Sequence, residues 1–361
     1  MKLCFLAGAN SIHTRRWIKY FADAGHEVHL ISLGRNSKEP LDNIKFHLVP
    51  KKFFRPLRPL YYLFEVKKIL RRIKPDILHV HQLWIDGIVA DHSGFHPLVV
   101  TPWGSDLLIG ARSNVKKQLF RHIFKNADLI TCDGENMRAA IIGLGISPAK
   151  VCLVGFGVDT DRFRPDPPDH NLAKTVGLRG GPVVISLRSL NPIYDIETLV
   201  RAMPLIVKAV PGAQFIIAGQ GSERDRLIAL AAELGVGGAA HFIGAIPGGD
   251  IPRYLNLAAV YVSTSLSDSG LAASTAEAMA SGLPVVVSDS GDNKKWITQG
   301  ENGYVVPLRD HAALAQMVIA VISDPVLSKK MGQSGRKAIE ERNSYRREMG
   351  KIEDLYRRLA K

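Results

Sequence analysis

Short runs of apolar residues alternate with helical patterns along the whole chain, and this alternation limits the fold more than any other feature. The runs are apolar at nearly every position, whereas a strand with one solvated face would alternate apolar and polar residues. Such strands, separated by helices, are typical of a parallel sheet that helices cover on both faces. The predicted strands are Lys2–Ala7, Glu27–Ser32, Ile44–Val49, Asp76–Val80, Leu98–Thr101, Asp128–Cys132, Val151–Val154, Val183–Leu187, Gln214–Ala218, Ala240–Ile243, Val260–Ser263, Pro284–Ser288 and Tyr304–Val306. The predicted helices include Thr14–Ala24, Asn114–Asn126, Asp195–Val210 and Glu223–Leu234.

The alternation is interrupted by the Pro- and Asp-rich stretch "FRPDPPDHN" at Phe163–Asn171, which indicates a linker. A chain of 361 residues also exceeds the length that one core usually spans. The sequence therefore predicts an α/β fold with two Rossmann-like, doubly wound parallel-sheet domains facing each other across a cleft. We assign residues 1–165 to the first domain and 170–344 to the second, and we expect a helix at 345–361 to return to the first. Ligands of such sheets bind beyond the carboxyl ends of the strands, so we expect the bound molecule in the cleft.

The composition is that of a globular protein, with 46% hydrophobic and 22% charged residues. The opening "MKLCFLAGANSIHTRRW" contains an apolar run too short for a signal peptide, and no apolar segment approaches the length of a membrane span. The three cysteines, Cys4, Cys132 and Cys152, lack metal-ligand spacing, so we expect reduced thiols. These features predict a cytoplasmic protein.

The net charge of +13 is concentrated in the first half of the chain. Residues 1–165 carry 25 Lys and Arg against 14 Asp and Glu, and Lys51–Lys74 alone holds nine basic residues with Glu65 as its single acid. Aromatic residues are interleaved in this segment, a pattern that suits an anionic membrane surface and a peripheral position on the inner face of the cell membrane. Nucleic acid binding is an alternative. A solvated helix that packs its other face on the core is a further one.

A single carboxylate, Glu277, stands among small residues in "SLSDSGLAASTAEAMASGLPVVVSD" (Ser265–Asp289). One interpretation is local: Ser274 caps a helix and Glu277 reaches back to its amide, as in a capping box. The other is that small residues at a helix start let a phosphate approach the backbone N–H groups, while the acid binds a group beside it. The residues alone leave both open.

Two glycine loops follow predicted strands. "LAGANS" (Leu6–Ser11) places Gly8 where a phosphate could approach the backbone. In "IAGQGSERDRL" the third position of a dinucleotide fingerprint is Arg224, so a nicotinamide or flavin cofactor is disfavoured. We interpret Gly219 as part of an ordinary tight turn.

The segment "EAMASGLPVVVSDSGDNKKWITQGENGYVVPLRD" (Glu277–Asp310) resembles glycosyltransferase family 4, the retaining nucleotide-sugar transferases of GT-B fold. Further matches cover essentially the whole chain, among them "GHEVHLIS", "KPDILHVH", "TPWGSD", "NADLITCDGENMRAAI" and "GFGVDTDRFRP". The resemblance implies that Glu277 binds the ribose hydroxyls, that the amides of Ala273 and Ser274 hold the distal phosphate, and that Arg188 neutralises the diphosphate. It also implies that the turn at Gly244–Ile246 reads the base. The expected donor-binding residues are Gly8, Arg188, Tyr194, Gly244, Ala245, Ile246, Gly270, Ala273, Ser274 and Glu277. The expected catalytic residues are Asp106, Arg188 and Ser269. The expected acceptor residues are His81, Trp103 and Asp106.

Three positions depart from the family pattern. Ser269 stands where the first acid of the Glu-x7-Glu motif is expected, with Asp268 beside it. Tyr194 replaces a lysine that usually accompanies the arginine, and Trp103 replaces a frequent histidine. We interpret these changes as a subfamily that handles a different sugar. For Asp106, a helix N-cap is the structural alternative.

The resemblance implies a hexosyltransferase that moves a sugar from a UDP- or GDP-linked donor to a glycan or lipid-linked acceptor, in polysaccharide or lipid-linked glycan biosynthesis. We expect no metal and no cofactor, because Asp159-Thr-Asp161 is better explained as a turn than as a metal motif. Stabilisation of the leaving diphosphate is expected from Arg188 and helix N-terminal amides. A nucleotide-sugar-binding protein without transferase activity, a nucleotide-sugar epimerase and a nucleic-acid-binding protein are the alternatives; we expect no nucleic acid partner.

Overall fold

The computed structural model describes residues 1–34, 36–38, 41–52, 55–108 and 113–361. The chain divides into two compact units: Met1–Phe156 together with Glu348–Lys361 form the first, and Gly157–Arg347 form the second. Each unit contains one parallel sheet, as the strand pattern predicts. Residues 163–171, which we predicted to be a linker, lie within the second unit, where the side chain of Phe163 is buried.

The first sheet has seven parallel strands. In chain order they are β1 (Lys2–Leu6), β2 (Glu27–Leu33), β3 (Ile44–Val49), β4 (Ile77–His81), β5 (Leu98–Thr101), β6 (Leu129–Cys132) and β7 (Val151–Leu153). Their order across the sheet is β3-β2-β1-β4-β5-β6-β7. The direction of winding therefore reverses between β1 and β4, which pair in the register Leu3 with Ile77. At such a point the connections leave in opposite directions, and a crevice opens at the carboxyl ends of the two strands.

The second sheet has six parallel strands with the same type of reversal. They are β8 (Val183–Ser186), β9 (Gln214–Ala218), β10 (Ala240–Gly244), β11 (Val260–Ser263), β12 (Val285–Ser288) and β13 (Gly303–Val306). Their order is β10-β9-β8-β11-β12-β13. The winding reverses between β8 and β11, where Val184 pairs with Val260.

Helices connect most of these strands. They are α1 (Ile12–Asp23), α2 (Arg58–Ile73), α3 (Ile85–Ser93), α4 (Ser105–Leu108), α5 (Asn114–Asn126), α6 (Glu135–Ile142), α7 (His170–Val176), α8 (Ile196–Ala209), α9 (Arg224–Glu233), α10 (Ile251–Leu255), α11 (Ala273–Ala280), α12 (Asn293–Trp296), α13 (His311–Ser323), α14 (Pro325–Arg342) and α15 (Tyr345–Leu359). Every residue of β4 and of β9 is buried, because helices cover both faces of each sheet. This burial explains why most strands are apolar at nearly every position.

The C-terminal segment completes the core of the first unit. Tyr356 is fully buried, its ring lies 5.1 Å from that of Phe21, and its hydroxyl contacts the imidazole of His79 in β4. Glu348 is also buried and accepts a hydrogen bond of 2.8 Å from the amide of Gly155. The residues from Glu348 onward therefore belong to the first unit.

Among the described residues, no single helix combines the length and the apolar composition of a membrane span. The sharply bent pair α13 and α14 meets that test of length and composition only when both helices are taken together.

Candidate functional site

An ion pair lies at the carboxyl ends of β8 and β11, the strands between which the second sheet reverses. Arg188 follows β8, Asp268 follows β11, and the guanidinium donates to the carboxylate. Both side chains are about nine-tenths buried, with exposed fractions of 10% and 9%. Burial lowers the pKa of Arg188, but the charge of Asp268, the nearby Tyr261 and Tyr194 and the hydrogen bond to Asp268 together offset that effect, so the net pKa is raised. The arginine is thus a permanent cation at the position where parallel sheets bind ligands.

Two further groups hold the guanidinium of Arg188. It lies 4.5 Å from the centroid of the Tyr194 ring, and its Nη1 donates to the hydroxyl of Ser274 over 3.3 Å. That hydroxyl in turn lies 2.8 Å from the hydroxyl of Tyr261, a fully buried residue of β11. The Nε of Arg188 is buried and has no hydrogen-bond partner among the described residues. Sequence reasoning did not identify Tyr261 or the Arg188–Asp268 contact. The sequence signal for that contact was Asp268 itself, an acid next to Ser269, where the family pattern has an acid.

Helix α11 begins at Ala273 and presents a narrow outward face. Only Ala273, Ser274 and Glu277 of its residues are partly exposed, while the other five are buried. These three residues are the ones predicted to bind the donor. Because they are spaced by one helical turn, they form one surface that begins beside Arg188.

The capping-box interpretation of Ser274 is wrong. Ser274 is the second residue of α11, so its hydroxyl bonds Arg188 and Tyr261 instead of capping the helix. The N-cap residue is Ala272, whose side chain cannot accept a hydrogen bond. The first-turn amides therefore have no side-chain cap, as an anion-binding helix start requires.

Glycines allow the loops around Arg188 to approach one another closely. A Cβ on Gly219 would lie 2.3 Å from the carbonyl oxygen of Arg188, which supports the interpretation of Gly219 as part of a tight turn. A Cβ on Gly291 would lie 2.5 Å from the carbonyl oxygen of Gly270, in the loop that carries Asp268 and the half-buried Ser269. Larger residues at these positions would displace the loops that position the arginine.

The predicted base-reading turn follows β10. Gly244 ends that strand with φ of +76° and its carbonyl accepts the amide of Gly219 over 2.8 Å. Ala245 is exposed and Ile246 is half-buried, and their amides have no backbone partner among the described residues. These amides can donate hydrogen bonds to the edge of a planar ligand.

The first unit has its own set of predicted residues at the reversal between β1 and β4. Gly8 follows β1, and a Cβ there would meet no atom within 4 Å, so packing does not require this glycine. His81 ends β4 but is only 2% exposed, and its Nδ1 lies 3.2 Å from the hydroxyl of Thr14. Trp103 packs on it, with ring centroids 5.4 Å apart.

His81 is therefore enclosed within the first unit. We had expected this side chain to face outward, toward the acceptor. Both His79 and His81 are buried, because aromatic residues of α1 and α15 cover the end of β4. Burial, followed by the charge of His13, lowers the pKa of His81 to about 3, so the ring is neutral at physiological pH. Burial therefore favours the neutral form of this imidazole.

The carboxylate of Asp106 stabilises its own loop through hydrogen bonds to backbone amides. One carboxylate oxygen accepts the amides of Trp103 and Leu107 over 2.9 and 3.0 Å, and the other accepts the amide of Leu83 over 3.1 Å. The side chain is buried, and burial raises its pKa although these backbone bonds act in the opposite direction. The geometry favours a structural role for Asp106, since its oxygens are already occupied by backbone donors, but not the expected N-cap, because Asp106 is the second residue of α4.

Asp159 and Asp161 form a turn, as the sequence suggested. The carboxylate of Asp159 accepts the amides of Asp161 and Arg162, each over 3.2 Å.

The basic segment forms an amphipathic surface helix. On its inner face α2 buries Tyr62, Val66, Leu70 and Ile73. Leu57 just before the helix, and Leu60 and Phe64 within it, are 46%, 67% and 66% exposed. Spaced by three or four residues, these three lie on one outward face, which Lys68 and Arg71 continue. We call these five residues the α2 stripe; Phe53 and Phe54, which belong to the predicted segment, lie outside the described residues.

Comparisons with known protein families agree with this architecture. A family described as "Glycosyl transferases group 1" matches residues 171–338, and one described as "Glycosyl transferase 4-like" matches residues 2–134. EpsD of Bacillus subtilis (strain 168), a protein assigned to the glycosyltransferases, is 28% identical over 361 residues, or 94% of this chain and 91% of EpsD.

A second relative is the GDP-mannose-dependent alpha-(1-6)-phosphatidylinositol monomannoside mannosyltransferase of Mycolicibacterium smegmatis. It is 31% identical over 229 residues, which is 62% of this chain and 60% of that protein. Among solved structures, HepE from Anabaena in complex with UDP and glucose has a TM-score of 0.86 at 19% identity, and the match covers 99% of this chain and 100% of HepE. The structural likeness shows the fold.

Proposed function

Because this chain belongs to the group 1 glycosyltransferases of the family 4 type, we propose that it transfers a sugar from a UDP- or GDP-linked donor to a glycan or lipid-linked acceptor. We propose that transfer retains the anomeric configuration and needs no metal. The observation that carries this proposal is the meeting of Arg188 with the outward face of α11. There a cation, an uncapped helix start and the carboxylate of Glu277 share one surface.

Arg188 and the first-turn amides of α11 would bind the diphosphate. In the proposed step the bond between the anomeric carbon and the phosphate oxygen breaks, and the acceptor hydroxyl bonds to that carbon from the same side. The acceptor proton passes to the departing phosphate oxygen, so no protein base is needed. Negative charge grows on the diphosphate during this step, and fixed donors next to it lower the barrier.

The remaining donor contacts follow from the same surface. Glu277 lies one helical turn beyond Ser274 on the same helix face, and its carboxylate would accept hydrogen bonds from the ribose hydroxyls. The backbone of Gly244–Ile246 would bind the base edge. The names of the relatives support both nucleotides, since HepE was crystallised with UDP and the mycobacterial enzyme is GDP-mannose-dependent.

We assign the acceptor to the first unit, to Trp103 and the backbone around Gly8, with Asp106 as the residue that fixes the Trp103 loop. The acceptor of the mycobacterial relative is a glycosylated phospholipid by name, which supports a lipid-linked acceptor.

We also propose that the first unit docks on an anionic membrane through the α2 stripe. Exposed Leu60 and Phe64 would enter the interface, and Lys68 and Arg71 would meet the lipid phosphates. The N-terminus of α2 follows β3, so the apolar part of the stripe lies toward the carboxyl edge of the sheet, the edge at which such sheets bind substrates. A lipid-linked acceptor would thus be presented to the correct edge.

A survey of nucleotide sugars tests the catalytic proposal. We expect one UDP- or GDP-sugar to raise the thermal unfolding midpoint of the purified protein, and the same compound to be consumed in the presence of an acceptor and EDTA. The coupling of the anomeric proton in the product reports its anomeric configuration. The same configuration as in the donor sugar indicates retention. Binding without turnover for every acceptor tested would contradict the proposal, and loss of turnover in EDTA would contradict metal independence.

Vesicle flotation tests the docking proposal. We expect binding to vesicles with anionic lipids, reduced at least tenfold in Leu60→Ser/Phe64→Ser, because burying each of these side chains contributes about 1.5–3 kcal/mol. Val326→Ser, a change at another exposed apolar residue (80% exposed), is the matched control and should bind normally. Equal binding by both variants would contradict docking through α2, and tight DNA binding instead of vesicle binding would favour the nucleic-acid alternative.

A further inference from the structure

A cavity of about 590 Å³ lies between the C-terminal half of α2 and the turn that joins α3 to β5. Its volume is in the range of small-molecule sites. Its lining combines cationic and apolar side chains; the residues that matter here are Lys67, Arg71, Lys74, Leu70, Phe95 and His96.

The three cations face a common space. Lys67, Arg71 and Lys74 are spaced by four and three residues, so they project from one side of the helix and its C-cap. None of the three forms an ion pair with any described residue, and no described carboxylate lines the cavity. The nearby Asp128 is already engaged, because it accepts hydrogen bonds of 2.6 Å from both His96 Nδ1 and the amide of Leu98. The cavity therefore carries uncompensated positive charge.

The position of the cavity separates it from the donor and acceptor residues. It lies where β4 and β5 begin, at the amino ends of the strands, whereas Gly8 and Trp103 follow strands at their carboxyl ends. Substrates of parallel sheets bind at the carboxyl edge. A ligand in this cavity would therefore be an anchor or effector and not the group that reacts.

We propose that the cavity binds the phosphate of an anionic lipid, with Lys67, Arg71 and Lys74 around the phosphate and the start of an acyl chain against Leu70 and Phe95. The inference rests on the membrane-docking part of the proposed function. Two observations select a lipid over a free anion. The apolar side chains of Leu70 and Phe95 line the same cavity as the cations, and Arg71 belongs both to the cavity and to the α2 stripe with its exposed leucine and phenylalanine side chains.

The test uses a water-soluble lipid, so that it depends on neither vesicles nor turnover. Dihexanoyl phosphatidic acid below its micellar concentration is titrated into the full-length protein by calorimetry, with dihexanoyl phosphatidylcholine and inorganic phosphate as comparisons. We expect saturable binding of one phosphatidic acid per chain, and at least tenfold weaker binding of the other two compounds. Phosphate binding as tight as that of the lipid would overturn the lipid assignment.

Two variants with the same charge change locate the site. Lys67→Gln/Arg71→Gln removes two cations of the cavity, and Arg72→Gln/Lys117→Gln removes two exposed cations of the first unit that neither line the cavity nor belong to the α2 stripe. We expect the first variant to bind phosphatidic acid at least tenfold more weakly and the second to bind it within twofold of the unchanged protein. Equal losses, or no saturable binding at all, would overturn the proposal.

Two controls keep the outcome interpretable. Lys67→Arg/Arg71→Lys preserves the charge and should retain binding, and all variants should have the same thermal unfolding midpoint. If nucleotide-sugar turnover fails while this titration behaves as expected, the catalytic proposal fails and the cavity assignment is supported. If flotation succeeds while the titration shows no difference between the charge-matched variants, docking stands and the cavity assignment is overturned.

Discussion

The guanidinium of Arg188 lies 4.5 Å from the centroid of the Tyr194 ring while it is paired with Asp268. Tyr194 stands where the family pattern has a second cation, so this chain has exchanged a charge for an aromatic surface. A single arginine, held by a ring, a carboxylate and the Ser274 hydroxyl, thus occupies the place of an arginine and lysine pair. Tyr194 and Asp268, which stand at or beside two of the positions that depart from the family pattern, thus both contact the same guanidinium.

Replacement of Tyr194 tests the contact with the ring. Tyr194→Phe keeps the aromatic face and should bind the nucleotide sugar within twofold of the unchanged protein. Tyr194→Leu removes a contact worth about 1–2 kcal/mol, so we expect roughly 5- to 30-fold weaker binding by calorimetry. Equal affinity in the two variants would show that the ring does not hold the cation.

The ion pair predicts non-additive effects on stability. Arg188→Met leaves the Asp268 carboxylate buried without its cation, and we expect the free energy of unfolding to fall by roughly 3 kcal/mol. Arg188→Met/Asp268→Asn removes both charges and should recover most of that loss in urea titrations. Neither variant should bind the donor. A stable single variant, or donor binding by the double one, would contradict the assigned roles.

Glu277 is predicted to recognise ribose hydroxyls. The unchanged protein should bind its nucleoside diphosphate at least tenfold more tightly than the 2′,3′-dideoxy analogue, because a carboxylate left facing no hydroxyl loses its hydrogen bonds. In Glu277→Gln this preference should fall to twofold or less, while Glu301→Gln, at an exposed residue of the same unit, keeps it. An unchanged preference in Glu277→Gln would place the ribose elsewhere.

Gly291 is predicted to control the loop that carries Asp268. Gly291 and Gly300 have φ of +58° and +76°, so alanine at either position should cost about 1–2 kcal/mol of backbone strain. At Gly291 the new Cβ would also lie 2.5 Å from the Gly270 carbonyl oxygen, whereas at Gly300 it meets no atom within 4 Å. Donor affinity should therefore fall in Gly291→Ala alone. Equal affinities, compared by calorimetry, would argue against this control.

Acid should weaken the first unit through its buried imidazoles. Burial and the charge of Arg16 lower the pKa of His13 to about 4, so the unfolded chain takes up a proton near pH 6.5 that the folded chain resists. The stabilising contribution is complete above pH 6.5 and is lost as the pH falls toward 4. Denaturant titrations of His13→Gln should show a shallower loss between pH 6 and 4.5, by up to about 1.4 kcal/mol per pH unit. An identical slope would contradict this assignment.

Sequence periodicity was sufficient for the fold because burial on both faces leaves a strong signal. Ile44–Val49, Leu98–Thr101, Gln214–Ala218, Val260–Ser263 and Asn114–Asn126 are observed with the predicted bounds, and the other predicted elements differ by one or two residues at their ends. The start of α11 could not be fixed in the same way. A serine followed by a glutamate three residues later indicates a capping box, and only the loop geometry shows that Ser274 is already inside the helix.

Side-chain partners were less predictable than elements. The sequence places His81 at the end of β4, where a side chain can be exposed. Whether it is exposed depends on Trp17 and Trp103, which lie outside that strand and cover the imidazole. The contact between Arg188 and Asp268 joins residues 80 positions apart, and Tyr261 is hidden in a run that indicates only a strand. Such pairings arise from the order of strands in the sheet, which local patterns do not encode.

The core of the first unit is closed by Tyr356 and Glu348, which are translated only after the whole of the second unit. Gly157–Arg347 is one continuous stretch and has all of its strands available before then. The half of the protein that is synthesised first is consequently the half that matures last. Proteolytic removal of residues 348–361 would therefore destabilise the half that is synthesised first, although the cut lies beyond the whole of the second unit.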